Sequence, residues 1–206
     1  MGERTLFGTD GVRGRANVDL TPELAMGLAR AAGDGERGVV VIGRDTRRSG
    51  QMLSAAVQAG FHAVGLDTID LGIIPVGAVS WFTRDLNATF GVMISASHNP
   101  PQYNGLKLFS AEGRVIPAEP GRAVLERYKK GTIDWVTYED LGDTLPVEDA
   151  HADHLQAVLA TVDAEAIRAC QFKVLLNSNH GAGSLLGERL LKSLGCKVTI
   201  VGGEPD

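Results

Sequence analysis

"GVVVIGRDTRRSGQMLSAAVQAGFHAVGLDTIDLG", residues 38–72, contains the pattern that decides the fold. Val39 to Ile42 make a short apolar run with no polar interruption, as a strand buried on both faces requires. Leu53, Ala56, Val57 and Gly60 then recur at the spacing that lines one face of a helix, and Ser49 is placed to cap its start. "GLDTIDLG" reads as the next strand. Strand, helix and strand with short links form a parallel pair whose crossover helix packs on the sheet.

The same grammar extends in both directions. Thr21, Pro22 and Glu23 predict a helix capped by Thr21 and running to about Ala32. A third helix is expected over Gly77–Leu86 and a further strand over Thr89–Ser95. "GLKLFS" and "GRVIP" flank a turn at Ala111-Glu112-Gly113, which predicts a hairpin. Glu119–Lys130 reads as a helix, and residues 131–147, with Trp135, as an irregular linker. A helix from Ala150 to about Val162 opens the second segment. There "FKVLLNSNHGAGSLLGERLLKSLGCKVTIVGGEPD", residues 172–206, repeats strand, glycine turn, helix and strand once. The expected organisation is one complete domain over residues 1–150 and the start of a second α/β domain over residues 151–206. A lone β-α-β unit cannot bury both faces of its sheet, so self-association through this incomplete part is a further expectation.

The chain has 206 residues, 44% of them hydrophobic, enough to bury a core. Its formal net charge is −5, and the excess acid lies in the second half. An acidic chain repels a polyanion, so nucleic-acid binding is not expected. No apolar run is long enough for a membrane span, and the opening "MGERTLFGTDGVRG" lacks the apolar stretch of a secretory signal, so a cytoplasmic location is expected. Cys170 and Cys196 lack CxxC spacing and read as buried thiols.

Chemistry-bearing residues gather after the strands. Arg44 to Ser49, "RDTRRS", follow a predicted parallel strand at the end where open α/β sheets hold ligands; the cluster fits either such a site or a solvated loop. "FGTDGVRGR" sets Arg13 and Arg15 among Gly8, Gly11 and Gly14, so backbone and guanidinium can approach an anion. "GVMISASHNPPQYNGLKLFS", residues 91–110, is the most specific stretch. An apolar strand ends at Ser97 and His98, Pro100 and Pro101 stiffen the exit, and Lys107 returns on the next extended segment. A serine beside a histidine raises acyl transfer, but neighbours on an extended chain point to opposite sides and no GxSxG elbow is present. A serine that accepts and returns phosphate needs cations and a proton acceptor, and usually a divalent metal. "GDGERG", residues 33–38, matches GxGxxG but follows a helix and precedes a strand, the reverse of a dinucleotide site. His151 and His154 share a helical face without a third ligand and read as surface residues. His180 in "NSNHGAG" sits at a strand-to-helix turn whose glycines serve a bend or a ligand, with the bend favoured.

With "FGTDGVRG", "GRDTRRSG", "ISASHNPPQYNGLK" and "NSNHGAGS" in order, the chain resembles the α-D-phosphohexomutase superfamily, most closely its bacterial phosphoglucosamine mutase branch. The resemblance implies an α/β fold in which a mixed, mainly parallel sheet is sandwiched by helices, followed by the first β-α-β unit of a similar domain. It also implies that Ser97 is a phosphoserine exchanging phosphate with a hexose phosphate, the substrate partner. Arg13 and Lys107 would neutralise the phosphate, and His98 would assist beside the serine. Mg²⁺ is the implied cofactor, held in the family by the phosphoserine, here Ser97, and by aspartates of a "DGDGDR" loop that this sequence does not contain. At "GIIPVGAV", Val76 and Gly77 stand where the family usually completes a Pro-Thr-Pro turn. Phosphomannomutases and phosphoglucomutases share the serine motif, so the branch stays open between sugars. A chain of this extent is expected to turn over little by itself, and a binding domain without turnover is the other reading.

Overall fold

The computed structural model describes residues 7, 8 and 11–205. Thr9 and Asp10 of the opening motif lie outside them. A six-stranded sheet runs in the order β1 (Phe7–Gly8), β2 (Gly11–Arg15), β6 (Tyr103–Phe109), β5 (Phe90–Ile94), β3 (Val39–Arg44), β4 (Asp67–Ile73). β3 pairs in parallel with both β4 and β5, whereas β6 runs antiparallel between β5 and β2. The sheet is thus mixed, with β2, β3, β4 and β5 pointing one way.

Helices cover both faces. α1 (Pro22–Gly33), α2 (Gly50–His62) and α4 (Ala118–Lys130) close one core over Val12, Val40, Ile42, Val92, Ile94 and Leu106. α3 (Val76–Asp85) closes the other over Val41, Met93 and Phe109. The alternation of Val40 and Ile42 with Val41 between the two cores follows from the two-residue period of a strand, and it explains why β3 is apolar without interruption from Val39 to Ile42. Thr21 caps α1 as expected, its Oγ1 accepting from the Leu24 N–H at 3.2 Å. Ser49 does not cap α2. Its hydroxyl instead accepts from the Asn104 side-chain amide at 3.0 Å, tying the helix start to β6.

Two other expectations change. The hairpin after β6 shrinks to a turn with a single bridge between Phe109 and Val115. Residues 131–147 do not hang as a linker. Thr68 donates its N–H to the Asp143 carbonyl and the Leu145 N–H donates to the Thr68 carbonyl, both at 2.8 Å, so this segment covers the outer edge of β4.

The second segment holds α5 (Ala150–Leu159), α6 (Ala164–Cys170), β7 (Lys173–Asn177), α7 (Gly183–Ser193) and β8 (Lys197–Val201), with β7 and β8 in parallel register. This is the expected β-α-β unit, preceded by a short helix, α6, that the sequence pattern did not reveal. Leu175 and Val201 are 69% and 51% exposed, which is the apolar surface on which the expectation of self-association rests. α5 joins this unit to the first. His151 and His154 are turned inward rather than to solvent: the Nδ1 atoms of both are buried, and the His154 ring lies 5.8 Å from that of Trp81 on α3. Burial pushes both imidazoles below their ordinary range, helped at His151 by Arg189 and at His154 by His151. Cys170 is exposed and Cys196 half-buried, so the thiols are not the buried residues expected; Cys170 ends α6 and Cys196 immediately precedes β8. Among the described residues no helix is long and apolar enough to cross a membrane.

Candidate active site

The carboxyl ends of β3 and β5 open onto a cleft of about 810 Å³. Arg13, Ser97, His98 and Lys107 all line it, although they come from three separate stretches of chain. The sheet register explains the arrival of the two cations. Val12 and Leu106 are paired across β2 and β6 and face the α1–α2 core. One residue further along each strand the side chains turn to the opposite face, which puts Arg13 and Lys107 on the same face in diagonal positions. Lys107 lies two residues along β6 from Gly105, the partner of Arg13, and is paired to Met93, which also lines the cleft. Gly105, opposite Arg13, leaves the space: a Cβ there would stand 2.9 Å from Arg13 Cγ and 2.8 Å from the Ser95 carbonyl oxygen.

Ser97 is exposed at the mouth of the cleft. It sits in a turn in which the Asn99 N–H donates to the Ala96 carbonyl at 3.1 Å, and its φ is +55°. A left-handed serine costs on the order of 1–3 kcal/mol and persists only where the surroundings enforce it. The extended geometry assumed from the sequence therefore fails at this residue. Ser97 Oγ and His98 Nδ1 do not point apart but lie 3.4 Å from each other. The objection to a serine–histidine pair falls, while the missing nucleophile elbow still speaks against a hydrolase.

The "RDTRRS" cluster resolves into two roles. Arg47 is used within the protein. Its Nε donates to Asp45 Oδ2 at 3.1 Å, one terminal nitrogen to the carbonyls of Pro100 and Tyr103 at 2.8 and 3.0 Å, and the other to those of Ser97 and Asn99 at 2.8 Å each. All five N–H groups of the guanidinium are thereby satisfied. Asp45 Oδ2 also accepts from the Ser95 hydroxyl at 2.7 Å, and the Ser97 N–H donates to that hydroxyl at 3.1 Å. Arg48, by contrast, is exposed on the cleft wall and is available to an anion. The composition of this segment signalled a site, but no local pattern could reveal that Arg47 pairs with carbonyls about 50 residues away.

The rim is completed from the second segment. Asn179, Gly181 and Ala182 line the cleft just before α7, and Pro75 and Val76 line it at the start of α3. Helix N-termini carry partial positive charge and unpaired N–H groups, so the rim adds to the pull on an anion. The glycine turn is indeed a bend: Asn179 and His180 have φ of +45° and +55°, and the His180 N–H donates to the Gly202 carbonyl at 2.9 Å. It also borders the cleft, which the sequence reading had treated as the lesser option. His180 itself points elsewhere, its Nδ1 lying 2.8 Å from the Glu204 carbonyl oxygen. Val76, at the departure from the family's usual turn, starts α3 directly after Pro75, whose extended backbone breaks the chain into the helix.

Residues 4–134 match the family described as phosphoglucomutase/phosphomannomutase, alpha/beta/alpha domain I. The chain belongs to this phosphohexomutase family. It is 42% identical over 98% of its length to a phosphoglucomutase/phosphomannomutase of Thermococcus kodakarensis, covering 45% of that protein. It is 40% identical, again over 98% of its length, to a phosphoglucosamine mutase of Alkaliphilus oremlandii, covering 46% of it. The crystal structure of a phosphoglucomutase/phosphomannomutase family protein from Burkholderia thailandensis superposes with a TM-score of 0.79 at 24% identity, over 98% of this chain and 44% of that one; this likeness bears on the fold alone. The chain therefore spans a little under half the length of the relatives it matches.

Proposed function

We propose that Ser97 is the phosphoryl relay of a phosphohexomutase. The observation that carries this reading is the convergence of Arg13 and Lys107 on the cleft at whose mouth Ser97 is exposed. In the forward step a hydroxyl of the sugar phosphate attacks phosphorus. The bond from phosphorus to Ser97 Oγ breaks, and the serine oxygen takes up a proton. The reverse transfer from the resulting bisphosphate, at its other phosphate, regenerates phosphoserine and completes the isomerisation. Arg13 and Lys107 hold the negative charge spread over the transferring group, where cations stabilise a loose transition state most. His98, 3.4 Å from Ser97 Oγ, is placed to give and take the serine proton.

The implied Mg²⁺ is only partly provided for. No group of three or more His, Cys, Asp or Glu that could hold a metal occurs among the described residues. Asp45, the carboxylate of the cleft, already accepts from Ser95 and Arg47. A phosphate on Ser97 would offer an oxygen, and the remaining ligands are not found among these residues. No step above runs through the metal.

For the substrate we propose glucosamine 6-phosphate, interconverted with glucosamine 1-phosphate in the cytoplasm. This is supported by the "FGTDGVRG" opening and by the likeness to the Alkaliphilus enzyme. The likeness to the Thermococcus protein favours glucose or mannose phosphates as the second reading. Residues 1–150 are proposed as the domain carrying the serine, and the lone chain is expected to turn over little. The complete reading frame, assayed with Mg²⁺ on the 6-phosphates of glucosamine, glucose and mannose, tests both levels. Phosphate on Ser97 by mass spectrometry, with activity abolished in Ser97→Ala, is the expected result. Full activity in that variant would overturn the relay, and glucosamine 6-phosphate ranking last would overturn the branch.

A further inference from the structure

We infer that Arg47, with Asp45 and Ser95, is a positioning device that holds Ser97 in its left-handed conformation and so aims the hydroxyl into the cleft. The inference rests on the reading of Ser97 as the phosphoryl relay. Both sides of the Ser97 backbone lead to the same ion pair. Its carbonyl accepts directly from Arg47, and its N–H reaches Asp45 through the Ser95 hydroxyl, which donates to the carboxylate. Because the Ser95 proton is committed to Asp45, its oxygen is left to accept from Ser97, and the direction of each bond in this ring is set.

The ion pair is well placed for the task. The side chains of Arg47 and Asp45 are 11% and 18% exposed, so water competes little for their bonds. Four of the five guanidinium bonds go to backbone carbonyls of Ser97, Asn99, Pro100 and Tyr103, which spreads the hold along the whole exit from β5. Pro100 and Pro101 cannot donate from their backbone nitrogens; the Pro100 carbonyl also accepts from the Tyr103 N–H at 3.0 Å, while the Ser97 and Asn99 carbonyls accept from Arg47. Lysine has the charge but not the planar fork, and it cannot make these bonds together. Arg47 acts through Ser97 and touches no substrate in this role.

The test uses the complete reading frame with Arg47→Lys, Arg47→Ala and Ser95→Ala, and reads two quantities. The first is hydrogen exchange of the 96–103 segment. The second is the rate of Ser97 phosphorylation by a hexose 1,6-bisphosphate, followed by intact mass over a range of bisphosphate concentrations. Faster exchange confined to 96–103 is expected in all three variants. The loading rate should fall about a hundredfold in both Arg47 variants, the scale of a misplaced reacting group, and about tenfold in Ser95→Ala, the scale of one lost hydrogen bond. The concentration giving half the maximal rate should stay unchanged, because the device aims the serine rather than binding the sugar. Added guanidinium ion should restore part of the rate in Arg47→Ala. Should the Arg47 variants fail to fold, Ser95→Ala decides. Unchanged exchange and unchanged loading in the folded variants would overturn the inference, as would a loss expressed only in the half-saturating concentration. If the unsubstituted protein takes no phosphate, the relay reading fails, and the exchange data alone still decide whether the clamp exists.

Discussion

The rings of Trp81 on α3 and His154 on α5 pack with centroids 5.8 Å apart, which sets a histidine in the joint between the first sheet and the second. His151 lies one turn earlier, and Asp149 and Arg189 of α7 flank the pair. Both imidazoles are held below their ordinary value of 6.5, chiefly by burial. The fold thus prefers their neutral forms. Below that value the unfolded chain takes up protons first, so stability is complete above it and declines as pH falls through and beneath it. Urea unfolding should show a lower midpoint at about pH 5 than at about pH 7.5. The double variant His151→Gln, His154→Gln should flatten that difference. An equal slope in both proteins would contradict the assignment.

Gly91 lies against Thr83 of α3, whose hydroxyl stands where a Cβ would go and is held there by its bond to the Val79 carbonyl at 2.7 Å. Gly91→Ala should cost about 1–3 kcal/mol by overpacking. Thr83→Ala in the same chain should recover part of the loss. Denaturant unfolding of the two single variants and the double one measures this coupling, and simple additivity would count against the contact.

Asp149 does two jobs at the start of α5. Its Oδ1 accepts from the Ala152 N–H at 3.1 Å, and Arg189 donates to both carboxylate oxygens at 2.9 and 2.8 Å. The ion pair is half-exposed on both sides and should contribute less than about 1 kcal/mol. The cap should be worth about 1 kcal/mol. Asp149→Ala is therefore expected to destabilise more than Arg189→Met, and Asp149→Asn, which keeps the cap, to behave like the latter. Thermal unfolding of the three variants checks the order.

Gly105→Ala tests the cleft rather than the core. The new methyl would press on Arg13 Cγ and on the carbonyls of Ser95 and Val12. Arg13 should be displaced, and phosphoryl loading of Ser97 should fall about as far as in Arg13→Met, on the order of a hundredfold. A Gly105→Ala protein that loads at the normal rate would separate Arg13 from the transfer.

The strand-helix-strand core was legible because its signals are local. Apolar periodicity, the Thr21 cap and the glycine turns each act within a few residues, and a parallel β-α-β unit has few ways to close. α6, with seven residues and no buried side chain, carried no apolar stripe, and its Asp163 cap, which accepts from the Ala166 N–H at 3.0 Å, went unread. The apolar content of 131–147 gave no hint that Asp143 and Leu145 would bond to the edge of β4, because backbone pairing leaves little trace in side-chain type.

The motifs around Ser97, Arg13 and Lys107, and the resemblance they carry, raised the expectation of phosphate chemistry; residue type alone did not. Which of those groups meet was another matter. Arg13 and Lys107 reach one face only because β6 inserts antiparallel between β2 and β5. Arg47, in a cluster that fitted either a ligand site or a solvated loop, bonds instead to backbone carbonyls about 50 residues away. His151 and His154, read as surface residues, became half-buried, with both Nδ1 atoms out of solvent, once α5 packed against α3 and α7. Local order comes from the chain's own neighbours, whereas charge pairing, burial and the conformation of Ser97 depend on contacts that exist only after distant segments have packed.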